Sequence, residues 1–186
     1  LGNVTSIVTF QQVVEKNVSR ILNNSTTRFH YEGFENLGKD KAYLYVSNHR
    51  DIAGDSMLLD YALFHSGFDT VRIAVGDNLI QREFATDLMK LNKSFFIKRA
   101  INSKREQYAA LMQSSEFILS SLQEGNSIWI AQSEGRAKDG VDKTDTAVIK
   151  MLTLSNRKEN GRKRDFAESI SDFNIVPMSL AYEFDP

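Results

Sequence analysis

The residues best equipped for chemistry lie in the run Val46-Ser47-Asn48-His49-Arg50-Asp51-Ile52-Ala53-Gly54-Asp55. An apolar, strand-like stretch ends there at an imidazole, and carboxylates follow two and six residues later. An imidazole can take a proton from a hydroxyl if a carboxylate orients the ring and stabilises the cation that forms. On a continuous helix, six steps of about 100° would carry Asp55 roughly 240° round from His49, onto another face. The two therefore meet only if His49 sits in a turn and Asp55 opens the helix that follows. Asp55-Ser56 suits that place, since both residue types cap helices well. So placed, Asp55 either caps the helix or orients His49, with Asp51 as the rival orienting group.

The elements that must hold these residues follow from the hydrophobic pattern. Val4, Ile7, Val8, Val13, Val14, Val18, Ile21 and Leu22 recur at helical spacing, so residues 4–23 read as an amphipathic helix packed on the core. Strands are expected at 28–32, 42–47, 71–75, 94–98, 127–131 and 175–181. Helices are expected at 55–66, 78–91, 103–123 and 144–155. Strands alternating with helices imply an α/β fold with a central, mostly parallel sheet covered by helices. In open sheets of this kind ligands sit beyond the carboxyl ends of the strands. His49, Arg99 and Glu134 each follow directly on an expected strand, which places all three at one site. Residues 156–165, with Arg157, Lys158, Arg162, Lys163 and Arg164 around Gly161, read as a basic, solvated loop.

Four blocks then resemble one family. Asn48-His49-Arg50 followed by an aspartate resembles the first block of the glycerolipid acyltransferases, which acylate glycerol-3-phosphate or its lysophospholipid product. The family places four residues between histidine and aspartate, and this chain places five between His49 and Asp55. The segment from Val75 through Asn92-Lys93-Ser94-Phe95-Phe96-Ile97-Lys98-Arg99 resembles the second block, with Lys93 where the family has glycine. Ile128-Trp129-Ile130-Ala131-Gln132-Ser133-Glu134-Gly135-Arg136-Ala137-Lys138 resembles the third, a strand followed by Glu-Gly-x-Arg, but lacks the intervening residue. Ile175-Val176-Pro177-Met178-Ser179-Leu180-Ala181-Tyr182-Glu183 resembles the fourth, an apolar strand with an internal Val-Pro, and is read as fold support. The blocks keep family order over residues 45–183.

The resemblance implies an acyltransferase domain, read as one domain over 1–186 because no linker divides the chain, with residues 1–25 being the N-terminal helix marked by the hydrophobic pattern. It implies that Arg99 holds the acceptor's phosphate, a task suited to a fork of fixed donors at a strand end. In the third block, Gly135 permits a close backbone approach, Glu134 can fix a hydroxyl or the loop, and Arg136 or Lys138 can meet phosphate. It further implies an acyl thioester donor, either acyl-coenzyme A or acyl-carrier-protein, and a phosphorylated glycerol acceptor. No further cofactor and no metal are expected, and attachment is to the inner membrane surface.

Composition sets outer limits. The chain has 186 residues, 41% hydrophobic and 25% charged, which fits a folded protein with a sizeable core. A net charge of −1 argues against general nucleic-acid binding. Cysteine is absent, so no thiolate nucleophile exists, and the three histidines at 30, 49 and 65 lack metal-ligand spacing. No apolar run approaches a membrane span and no signal peptide is evident, so the expected place is the cytoplasm, peripheral to a membrane. The chain starts without methionine and stops soon after a strand-like run, as a piece of a longer protein would. Two other readings compete: a non-catalytic module binding phospholipid or phosphorylated ligands on the same fold, and a metal-dependent phosphate-ester hydrolase using His49 with Asp51 and Asp55.

Overall fold

A computed structural model describes residues 6–77, 89, 91–98 and 103–184. Five strands form one parallel sheet: β1 (Leu44–Ser47), β2 (Arg72–Gly76), β3 (Ser94–Ile97), β4 (Ile128–Ala131) and β7 (Ile175–Met178). Their order is β3-β2-β4-β1-β7, and every pairing is parallel. The helices are α1 (Ile7–Ser25), α2 (Gly54–His65), α3 (Lys104–Gln123), α4 (Thr146–Leu152) and α5 (Phe166–Ile170). The α/β architecture read from the sequence is therefore the observed one.

Alternation along the strands sorts the core into two layers. Tyr43, Tyr45 and Trp129 point to the same face as Leu59 and Leu63 of α2. Leu44, Ile128 and Ile130 point to the other, against Ile118 of α3 and Met151 and Leu152 of α4. Central parallel strands are covered on both faces, which is why β1 and β4 read as nearly unbroken apolar runs. α1 begins at a reciprocal cap. Ser6 Oγ accepts from the Thr9 amide at 3.2 Å, and Thr9 Oγ1 accepts from the Ser6 amide at 3.0 Å. It buries Phe10 and Val18 and joins α2 through the contact of Glu15 Oε1 with His65 Nε2 at 3.1 Å.

Three expectations need correction. Residues 28–32 form no strand. Their aromatic side at alternate positions, Phe29 and Tyr31, packs on Tyr61 and Phe34 instead of entering a ladder. The last strand ends at Met178, three residues short of the expected 181. The basic segment at 156–165 is partly a hairpin, β5 (Lys158–Glu159) against β6 (Arg162–Lys163). Asn160 and Gly161 turn it with φ of 49° and 80°, the Asn-Gly pair that two-residue hairpin turns favour. The helix expected at 78–91 lies outside the described residues apart from Met89 and Leu91.

Candidate functional site

β1 delivers His49 to the carboxyl edge of the sheet. Ser47 closes the strand and is buried, and its Oγ accepts from Trp129 Nε1 at 2.9 Å while donating to the Asn48 carbonyl at 2.7 Å. The chain then turns, and α2 starts at Gly54. Asp51 Oδ1 accepts from the amides of Ala53 at 3.0 Å and Gly54 at 2.5 Å, so Asp51 satisfies donors at the helix start. Asp55 lies in the first turn of α2 and is left to face the ring.

His49 Nδ1 lies 2.8 Å from Asp55 Oδ2. The same oxygen accepts from the Arg50 amide at 2.7 Å, and Oδ1 accepts from the Asp51 amide at 3.1 Å and from Tyr182 Oη at 2.8 Å. The Asp55 side chain has 0% exposure and that of His49 has 16%. Burial drives the Asp55 carboxyl upward, but the bonds from His49, Arg50, Tyr182 and Asp51 outweigh it, and the group sits below the ordinary aspartate value. A carboxylate held ionised fixes the proton of the neutral ring on Nδ1 and leaves Nε2 with its lone pair. Among the described residues no hydrogen-bond partner engages Nε2. Burial and the bond to Asp55 push the Tyr182 phenol upward, so it remains a donor.

The loop after β4 is tied to the same turn. The Ala137 amide donates to the His49 carbonyl at 3.0 Å. Arg50 reaches across with Nη1 to the Ala137 carbonyl at 3.3 Å and Nη2 to Asp142 Oδ2 at 2.9 Å, and Asn48 Nδ2 approaches that oxygen at 3.3 Å. Glu134, Gly135, Arg136 and Lys138 are thus carried on a loop fastened beside His49. Gly135 has a φ of 80°, and an added Cβ there would meet nothing within 4 Å. The backbone conformation, and not close packing, accounts for that glycine. Among the described residues no carboxylate pairs with the side chains of Arg136 or Lys138. Arg99 lies outside the described residues.

In the sequence Asn48 and Arg50 enter only as members of the first block and Tyr182 only as a member of the fourth, with no role assigned, and Asp142 is not singled out. Tyr182 comes from the segment beyond β7, which pattern alone marks as fold support. Between α1 and α2 lies a small cleft with a cavity volume of about 40 Å³, where Val14, Val18, Met57, Tyr61 and Phe64 are interleaved with Gln11, Glu15, Asp60, Thr70 and Asn92. Met57 lies within the first turn of α2, just after Asp55. Among the described residues no helix is long and apolar enough to cross a membrane, and no three His, Cys, Asp or Glu side chains cluster as a metal site would.

The sequence model of the Acyltransferase family matches residues 28–180. Among curated proteins, none matches the chain.

Proposed function

Since this chain belongs to the acyltransferase family, we propose that it moves a fatty acyl group from an acyl thioester to a hydroxyl of glycerol-3-phosphate or lysophosphatidate, in phospholipid synthesis. The contact that carries this reading is His49 Nδ1 at 2.8 Å from the wholly buried Asp55. His49 Nε2 takes the hydroxyl proton as the alcohol oxygen attacks the thioester carbonyl carbon. The tetrahedral intermediate collapses, the carbon–sulfur bond breaks, and the departing thiolate takes the proton from Nε2. Ester and free thiol result, and the enzyme returns to its starting state. Asp55 stabilises the imidazolium between the two proton transfers, and such a base contributes about 10²–10⁴-fold.

Arg136 and Lys138, with Arg99, anchor the acceptor's phosphate in this reading. The support is a loop held to the His49 carbonyl and two cations without carboxylate partners among the described residues. The donor is acyl-coenzyme A or acyl-carrier-protein. A lysophospholipid acceptor resides in a membrane, and in this reading the enzyme works peripherally at the inner membrane face.

The test is transfer of labelled palmitate from palmitoyl-coenzyme A to glycerol-3-phosphate and, separately, to lysophosphatidate, by wild type and His49→Ala. Transfer that depends on His49 supports the reading. Acceptor binding without transfer favours a binding module, and near wild-type turnover by a folded His49→Ala refutes the base.

A further inference from the structure

We propose that Tyr182 is a positioning residue for the His49–Asp55 pair, acting through the Asp55 carboxylate; this rests on the reading of His49 as general base. A carboxylate has about four acceptor sites, and all are taken here: two donors on Oδ2 (His49 Nδ1, Arg50 N) and two on Oδ1 (Asp51 N, Tyr182 Oη). Tyr182 is the one member of this set that lies far along the chain, 127 residues from Asp55. The two donors on Oδ1 fix the plane of the carboxylate, which keeps Oδ2 on the ring nitrogen.

The delivery of Tyr182 is itself built into the turn that carries the base. Asn48 Nδ2 donates to the Leu180 carbonyl at 2.8 Å, and the Leu180 amide donates to Asn48 Oδ1 at 2.7 Å. This two-bond clamp joins the residue before His49 to the residue two before Tyr182. Gly54 completes the fit, since an added Cβ would meet Tyr182 Oη at 3.0 Å and Asp51 Oδ1 at 2.9 Å. The start of α2 leaves room for the phenol because position 54 has no side chain. The hydroxyl also favours the charged form of Asp55, alongside the ring and the two amides.

Tyr182→Phe keeps the ring and removes only the donor. With palmitoyl-coenzyme A and each acceptor, kcat is expected to fall about tenfold, the size of one charge-assisted hydrogen bond, with donor KM unchanged. Independently of turnover, the proton NMR resonance of the His49 Nδ1 hydrogen, assigned by its absence in His49→Ala, should shift in Tyr182→Phe. A Phe variant whose resonance stays in place overturns the proposal. If His49→Ala retains wild-type transfer, the general-base reading fails, while the resonance still decides whether Tyr182 acts on the pair.

Discussion

Asp55→Asn changes one atom and separates the orienting role of this side chain from its bulk. The carboxylate accepts four bonds, two on each oxygen, whereas an amide offers one oxygen and an NH₂ donor. If the amide oxygen occupies the Oδ1 place, Asp51 N and Tyr182 Oη remain satisfied, and the NH₂ faces the Arg50 amide and the ring. The Arg50 amide then has no acceptor, and His49 must shift its proton to Nε2, which abolishes it as a base. If the oxygen occupies the Oδ2 place, the tautomer survives, but the Asp51 amide is orphaned and the imidazolium loses its counter-charge. Either arrangement leaves one buried donor unsatisfied, at a cost of about 1–3 kcal/mol. Turnover is expected to fall by about 10³–10⁴, the scale reached when a catalytic imidazole loses its orienting carboxylate. Urea unfolding gives the first quantity and single-substrate kinetics of acyl transfer the second. A folded Asp55→Asn enzyme within tenfold of wild-type kcat would refute the reasoning.

Three further outcomes are expected. Gly54→Ala gains about 1 kcal/mol of helix propensity but meets Asp51 Oδ1 at 2.9 Å and Tyr182 Oη at 3.0 Å. Asp51 is pinned by the amides it caps, so an overpacking cost of about 1–3 kcal/mol wins, and both the melting temperature and kcat should drop; an unchanged melt with unchanged turnover contradicts this. Arg50→Ala releases the loop bonded at Ala137 and Asp142, so acceptor KM should rise about three- to tenfold with donor KM unmoved; equal effects on both would assign Arg50 elsewhere. Asp60 is raised by burial to about 7, against the pull of the Val71 amide and Lys93. A raised carboxyl binds its proton in the folded chain where the unfolded chain has lost it, so stability falls as pH rises from 3.8 toward about 7. Asp60→Asn keeps an acceptor for Val71 and should flatten that slope in urea titrations at several pH values; an unaltered slope would show the slope to come from other groups. Asp55 acts with the opposite sign, since its lowered value makes its contribution present at neutral pH and lost on acidification.

Periodicity made the layers legible. β1 and β4 show apolar runs because each is covered on both faces, and α3 is marked by its length and by Ser103, which accepts from the Glu106 amide at 3.4 Å. The meeting of His49 with an aspartate was legible too, because a turn followed by a helix is local geometry. The choice between Asp51 and Asp55 was not, since it depends on which carboxylate the helix amides claim, and they claim Asp51. Tyr182 and Asn48 escaped for a different reason. Their bonds span 127 and 132 residues, and no spacing rule reaches across a fold. Residues 28–32 alternate as a strand would, yet rings stacking on Tyr61 and Phe34 use that alternation equally well. Lys93, standing where the family has glycine, adopts a φ of 58°. A left-handed backbone explains why glycine suits the place, and Lys93 sets the strain of about 1 kcal/mol against a bond from Nζ to the Thr70 carbonyl at 3.1 Å.

The position of β1 has a consequence for how the protein is made. Its two neighbours are β4 and β7, pairing Leu44 with Ile128 and with Ile175. During synthesis the strand that leads to His49 emerges well before either partner, and its ladder closes only after Ile128–Ala131 and Ile175–Met178 have followed. Pairings so distant close slowly. Until those two strands arrive, the nascent polypeptide carries His49 as loose chain, without the tyrosine that bonds its aspartate.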